Sequence, residues 1–198
     1  MTQTHCYTTY AFEELTPEAQ ETAIETCHEI NVDDDYWHES TIDDAKTIGA
    51  LIGIEIDNIY FSGFWSQGDG ACFEGSYEYK KGGLKAIKEY APRDAELHRI
   101  AKGLQDLQRV NFYKLSATVR QSGHYYHENC TEINTEKDYE CIDQDTSDEL
   151  AELLRDLMKW IYRALESDYE FQTGEAQILD TILANEYEFN KDGTFNRC

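Results

Sequence analysis

The residues best suited to acid–base chemistry lie in one short segment, residues 123–130, which reads Gly-His-Tyr-Tyr-His-Glu-Asn-Cys. A histidine near a glutamate can transfer a proton to or from a substrate, so His124, His127 and Glu128 form a candidate hydrolase site. An extended strand would place the two histidines on opposite faces, which argues against a shared metal ion. The spacing shows no nucleophile with a matching base and none of the common hydrolase motifs.

A second segment, residues 61–73, combines glycines with aromatic residues and could hold a small ligand. It reads Phe-Ser-Gly-Phe-Trp-Ser-Gln-Gly-Asp-Gly-Ala-Cys-Phe, and its spacing fits neither a dinucleotide fingerprint nor a P-loop. One interpretation is a binding module for a nucleotide signal, and the other is a tight hairpin whose glycines serve the turn. The residues predicted for the ligand site are Trp65, Gln67, Asp69, His124, Tyr126 and His127.

Acidic residues dominate the chain and are concentrated at its beginning. Among 198 residues there are 40 Asp and Glu against 17 Lys and Arg, a net charge of −23. Residues 1–45 contain no lysine or arginine. Nucleic-acid binding needs a basic footprint, and anionic membranes attract basic segments. We therefore expect no direct contact with nucleic acid or with a membrane.

The first two predicted helices would each carry carboxylates along one side. Like charges three or four residues apart destabilise a helix by about 0.2–0.5 kcal/mol per pair, and a surface that serves only solubility intersperses lysines. Such a face suits a basic surface on another protein, where carboxylates would take the place of phosphates. A solvated face in a salt-tolerant cytoplasm explains the same composition. The residues predicted for partner binding are Glu18, Glu21, Glu25, Glu29, Asp33, Asp34, Asp35, Glu39 and Asp43.

Other features of the sequence indicate neither a cofactor nor a metal. The six cysteines form no Cys-x-x-Cys pair, and we expect Cys27 and Cys72 to be reduced core residues. Residues 33–35 are three aspartates, but they lack the glycine and the spaced glutamate of an EF-hand loop. Without a signal peptide or a long apolar stretch, the chain is expected to be cytoplasmic.

The elements that must position these residues are hairpins and runs of helices. Strands are predicted at residues 4–12, 54–61, 71–79, 113–121 and 124–133. Helices are predicted at residues 17–30, 36–52, 84–90, 93–111, 147–169 and 174–187. We predict a loop over residues 135–147, a turn at residues 190–193 and a loose tail from about residue 190. This order favours a single α+β domain over residues 1–198, with helices packed against an antiparallel sheet built from hairpins.

The central motif also resembles a known family. Residues 53–90, centred on Ile-Tyr-Phe-Ser-Gly-Phe-Trp-Ser-Gln-Gly-Asp-Gly-Ala-Cys-Phe at 59–73, are similar to small acidic proteins of tailed bacteriophages and prophages. Residues 14–20, 123–127 and 184–189 fit the same pattern. Members of the family are often labelled as an antitoxin of a toxin–antitoxin stability system.

The resemblance implies a phage protein that acts in the cytoplasm of a bacterial host cell. Its label implies that the protein neutralises another protein, and it supplies no catalytic residue. Together with the carboxylate face, it predicts a binding protein, rather than an enzyme, that inhibits a host or defence protein.

Overall fold

The computed structural model of the chain describes residues 8–34, 36–138 and 140–195. They fall into two compact units. The smaller unit takes its residues from 1–39 and 167–198, and the larger unit comprises residues 40–166. The single domain predicted over residues 1–198 stays a prediction.

The described elements confirm the predicted α+β class. The strands are β1 (Tyr10–Ala11), β2 (Ile54–Ser62), β3 (Gly70–Glu78), β4 (Leu115–Gln121), β5 (Thr131–Lys137) and β6 (Glu188–Phe189). The helices are α1 (Pro17–Thr26), α2 (Glu39–Ile52), α3 (Gly83–Tyr90), α4 (Ala95–Val110), α5 (Gln144–Gln172) and α6 (Glu175–Ala184), with a 3₁₀ turn at Phe12–Glu14.

The larger unit is built on an antiparallel sheet in the order β2-β3-β4-β5. Every neighbouring pair is antiparallel, as expected for strands that arrive as hairpins. Side chains alternate along a strand, and one face of this sheet packs with α2, α3, α4 and α5 into one apolar core. The largest fully buried side chains of this core include Phe73, Tyr77, Ile48, Leu154 and Met158.

Local chemistry explains where several helices begin. The Thr16 side chain accepts the Ala19 N–H, and Pro17 occupies the first helical position of α1, as the sequence predicts. The Asp94 carboxylate caps α4 by accepting the Leu97 N–H at 2.9 Å.

The smaller unit has its own apolar core and a two-stranded sheet. Strands β1 and β6 pair antiparallel, with Tyr10 opposite Phe189. Helices α1 and α6 supply buried Ala23 and Ile182 to a core that also contains Phe189. The turn predicted at residues 190–193 is present. The Gly193 N–H donates to the Asn190 carbonyl at 2.9 Å, and the Asn190 N–H donates to the Thr194 carbonyl at 3.0 Å. Residues 196–198 lie outside the described part of the chain.

Three predicted boundaries differ near the beginning of the chain. The first helix, predicted over residues 17–30, ends at Thr26, and residues 27–30 form turns. The strand predicted at residues 4–12 is found only at Tyr10–Ala11, and residues 4–7 lie outside the described residues. The second helix begins at Glu39 rather than at residue 36. The Asp34 carboxylate accepts the Tyr36 N–H at 3.0 Å, and this local bond stabilises a turn in place of helix.

The prediction of the fifth strand is wrong by several residues. β5 runs from Thr131 to Lys137, whereas the sequence placed it at 124–133. Register explains the shift, because Gln121 at the end of β4 lies opposite Thr131. The residues between them, 122–130, form a loop. The predicted 135–147 loop is shorter, because β5 continues to Lys137 and α5 begins at Gln144.

Candidate functional site

The carboxylates of the first helix point outward in the smaller unit. Glu18, Glu21 and Glu25 are exposed on α1, and Glu29 is exposed in the turn that follows. The opposite side of α1 supplies buried alanines to the core, so helical geometry determines which residues face solvent. We call Glu18, Glu21, Glu25 and Glu29 the α1 carboxylate surface.

The remaining predicted partner-binding residues lie further along the chain. Asp33 and Asp34 are exposed in the bend after α1, and Asp35 lies outside the described residues. Glu39 and Asp43 are exposed near the start of α2, and Asp43 belongs to the larger unit. A cavity of about 270 Å³ is lined partly by Glu25, Glu29 and Asp33.

Charge is distributed unequally between the two units. The ranges of the smaller unit hold 17 acidic residues and two basic residues, a net charge of −15 in 71 residues. The larger unit holds 23 acidic and 15 basic residues, a net charge of −8 in 127 residues. The ion pairs found among the described residues all join side chains between residues 85 and 159. Among the described residues, none of these ion pairs involves the α1 carboxylate surface.

A second candidate surface begins at the loop between β2 and β3, residues 63–69. The Asp69 carboxylate accepts the N–H groups of Trp65 at 3.0 Å and Ser66 at 2.6 Å. These bonds fix the loop while the Trp65 side chain remains 74% exposed. Gln67 is also exposed.

The loop between β4 and β5, residues 122–130, packs against the same end of the β2–β3 hairpin. The rings of Tyr60 and Tyr126 are stacked with centroids 5.4 Å apart. A methyl group on Gly70 would approach the Cα atom of His127 to 3.0 Å, so the absence of a side chain permits this contact. The two loops, which the sequence assigned to one candidate ligand site, are therefore in contact.

Hydrogen bonds hold the second loop in place. Glu74 accepts the hydroxyl of Tyr60 at 3.0 Å and the N–H of Gln121 at 3.2 Å. The Gln121 side chain donates to the carbonyls of Gly123 at 2.9 Å and Tyr125 at 3.4 Å. The hydrogen bond to Glu74 raises the pKa of Tyr60, because it stabilises the protonated hydroxyl.

Three aromatic rings at this end of the sheet are open to solvent. Tyr125 is 65% exposed and Tyr126 is 38% exposed, and Trp65 on the other loop is 74% exposed. We call Trp65, Tyr125 and Tyr126 the aromatic loop surface. Neither residues 61–79 nor residues 121–136 contain a lysine or an arginine.

The histidines of the second loop do not have the arrangement that the sequence suggested. Because residues 124–130 form a loop, the prediction that His124 and His127 occupy opposite faces of a strand is wrong. The Nδ1 atom of His127 lies 3.0 Å from a carboxylate oxygen of Glu128 and 3.2 Å from the Asn129 amide nitrogen. The pair of His127 and Glu128 is the part of the hydrolase hypothesis that the geometry brings into contact, while His124 is exposed. Catalysis at these residues stays a prediction.

Sequence reasoning missed Tyr125 of the aromatic loop surface and two residues that support this surface, Tyr60 and Glu74. The adjacent tyrosines at 125 and 126 were a visible signal for one of them. Nothing local indicated the other two, because the Tyr60–Tyr126 contact joins residues that are far apart in the chain.

Four cavities of the described chain are lined by other residues. One of them has a volume of about 480 Å³ and is lined by residues that include Gly53, Glu55, Glu78 and Lys80. The predicted ligand residues line none of these four cavities. Within residues 8–34, 36–138 and 140–195, no group of three or more His, Cys, Asp and Glu residues is arranged to hold a metal ion. In the same part of the chain, no helix combines the length and the apolar character needed to cross a bilayer.

Comparison with known proteins identifies a protein family for this chain. No curated protein and no solved structure shows significant similarity to the chain. Residues 37–175 match the family model described as "Domain of unknown function (DUF8835)". The matched residues include strands β2 to β5 and both loops of the aromatic loop surface. Because this match covers more than half of the sequence, the chain belongs to the DUF8835 family.

Proposed function

We propose that this protein acts by binding, and that it presents the α1 carboxylate surface to a basic surface on another protein. The observation that carries the proposal is the series of exposed glutamates along α1 in a unit with a net charge of −15. Long-range attraction between opposite charges speeds encounter and suppresses wrong partners.

The repulsion between glutamates along α1 is a cost to stability that a binding role for this surface would explain. Glu18 and Glu21 are three residues apart, and Glu21 and Glu25 are four apart, so each pair costs about 0.2–0.5 kcal/mol of helix stability. Among the described residues, no ion pair offsets this repulsion. A basic partner would remove it on binding, and part of the attraction would come from that relief.

The class of partner follows from the resemblance of the central motif to acidic phage proteins. We propose a host or defence protein whose nucleic-acid-binding groove is occupied and thereby inhibited. Carboxylates along a helix would then take the positions of phosphates, which basic grooves bind through lysine and arginine. The site of action would be the cytoplasm of a bacterial host cell.

The test replaces Glu18, Glu21 and Glu25 together with glutamine. Wild-type and variant proteins are immobilised and exposed to a bacterial lysate at low salt, and bound proteins are eluted with a salt gradient. We expect the variant to lose the captured partner while its melting temperature stays equal or rises, because like-charge repulsion is removed.

The matched control replaces Glu55, Glu78 and Glu149, three exposed carboxylates of the larger unit, with glutamine. This control changes the net charge by the same amount as the α1 variant. It should retain the partner and elute it at a similar salt concentration. Equal loss from both variants would show that only total charge matters, and retention by the α1 variant would refute the proposal.

A further inference from the structure

We infer that the aromatic loop surface binds a cationic peptide segment, with arginine or lysine side chains seated on its exposed rings. The inference rests on the proposed function in one respect, because both assign a basic protein partner. It names a different unit of the chain and a different kind of contact.

Exposure of the rings is the first observation. Trp65 and Tyr125 are more than half exposed, although aromatic side chains normally contribute large buried areas. Tryptophan and tyrosine are enriched among the residues that dominate binding energy at interfaces.

Rigidity is the second observation. Asp69 fixes the backbone at Trp65 and Ser66, and Gln121 fixes the backbone at Gly123 and Tyr125. A surface that is already ordered loses little conformational entropy when a ligand binds. The rings are therefore presented in a defined arrangement by hydrogen-bonded loops.

Charge selects the class of ligand. The segments that form this end of the sheet contain Asp69, Glu74 and Glu128 but no lysine or arginine. Arg120, which precedes the second loop, is the cross-strand neighbour of Glu132. A nucleotide would bring phosphates next to these carboxylates, and these segments supply no lysine or arginine to bind them. A guanidinium or ammonium group is attracted both by the carboxylates and by the faces of tryptophan and tyrosine.

Shape favours a peptide over a small amine. A small ligand is buried in a concave pocket, whereas the side chains of Trp65 and Tyr125 are 74% and 65% exposed. The four cavities described above are lined by other residues. Rings carried on two adjacent loops can contact successive side chains of an extended segment.

The test measures binding of a fluorescein-labelled peptide of alternating arginine and serine by fluorescence anisotropy. A second peptide carries citrulline, the neutral isostere, at each arginine position. At about 0.3 M salt the Debye length is below about 8 Å, which weakens binding to dispersed surface charge. We expect the full-length protein to bind the arginine peptide and not the citrulline peptide.

Replacing Trp65 and Tyr125 together with alanine should weaken binding about 4- to 25-fold, since each exposed cation–π contact contributes about two- to fivefold. The matched control is Phe112→Asn, which removes a ring that is 75% exposed elsewhere in the larger unit and places asparagine at a positive φ that this residue tolerates. The control should bind like the wild type.

Three results would overturn the inference: equal binding by the double variant, equal binding of the citrulline peptide, or a rise in melting temperature with ATP or GTP that the double variant abolishes. The last result would identify a nucleotide site instead. The α1 glutamine variant separates the two proposals, because it should lose the lysate partner and still bind the arginine peptide.

Discussion

Asp69→Ala should release the loop that carries Trp65 without unfolding the protein. The Asp69 carboxylate accepts two backbone N–H groups, from Trp65 and Ser66. A net contribution of about 0.5–1.5 kcal/mol for each bond means that local opening becomes easier by roughly 1–3 kcal/mol. That change corresponds to an increase of about 5- to 150-fold in the fraction of molecules in which this loop is open.

Hydrogen–deuterium exchange at the amides of Trp65 and Ser66 measures this fraction. Exchange at both amides should accelerate by the same factor in Asp69→Ala, while amides in the buried strand β3 keep their protection. Asp69→Asn is the matched control, because its side-chain oxygen can still accept these bonds, and it should retain most of the protection. Unchanged exchange in Asp69→Ala would show that the carboxylate does not order the loop.

Three further changes test the structure of the larger unit. Asp94→Ala removes the cap of α4 and the acceptor of the Trp160 indole N–H at 2.8 Å. The free energy of unfolding, measured in urea, should fall by roughly 1–3 kcal/mol. Asp94→Asn should lower the free energy of unfolding by less. Burial raises the pKa of Cys72 to about 12, so a disulfide reagent at pH 8 should leave this thiol unmodified until denaturant exposes it. Peptide mass spectrometry measures the modification. Rapid labelling of the native protein at Cys72 would contradict the burial. Hydrogen bonds from Lys114, which has the larger effect, and from Lys137 lower the pKa of Glu140 to about 2. These pairs therefore stabilise the folded state above about pH 4.5, and their contribution is lost as the pH falls toward about 2. In an NMR titration Lys114→Met should raise the pKa of Glu140, and an unchanged pKa would exclude the contact.

Several elements could be predicted because their signals are local. Thr16 and Pro17 mark the start of α1, and the structure shows both the cap and the proline at the first helical position. The β2–β3 hairpin falls within one or two residues of its predicted bounds, because apolar alternation and a glycine-rich connection lie next to each other in the sequence. Helix α5 follows from leucines that repeat at helical spacing.

The error at β5 shows where local signals fail. Residues 131–137 contain a single strongly apolar side chain, Ile133, so alternation identifies this strand poorly. The strand is fixed by its pairing with β4, which places Thr131 opposite Gln121. The register depends on β4, so nothing local to residues 131–137 reveals it. The aromatic and histidine residues at 124–130 resemble strand residues in sequence, but they form a loop.

The sequence by itself determined the charge of each segment, the helical spacing of the glutamates and the presence of two unusual loops. The direction in which a side chain points from a helix or a strand is set by its position in the local repeat. Periodicity was therefore sufficient to place Glu18, Glu21 and Glu25 on one side of α1. Only the tertiary structure decided that Tyr126 stacks on Tyr60 and that the Trp65 loop lies beside it. Contacts between distant residues require strand register and loop paths, and these are set by packing across the whole sheet rather than by any local pattern.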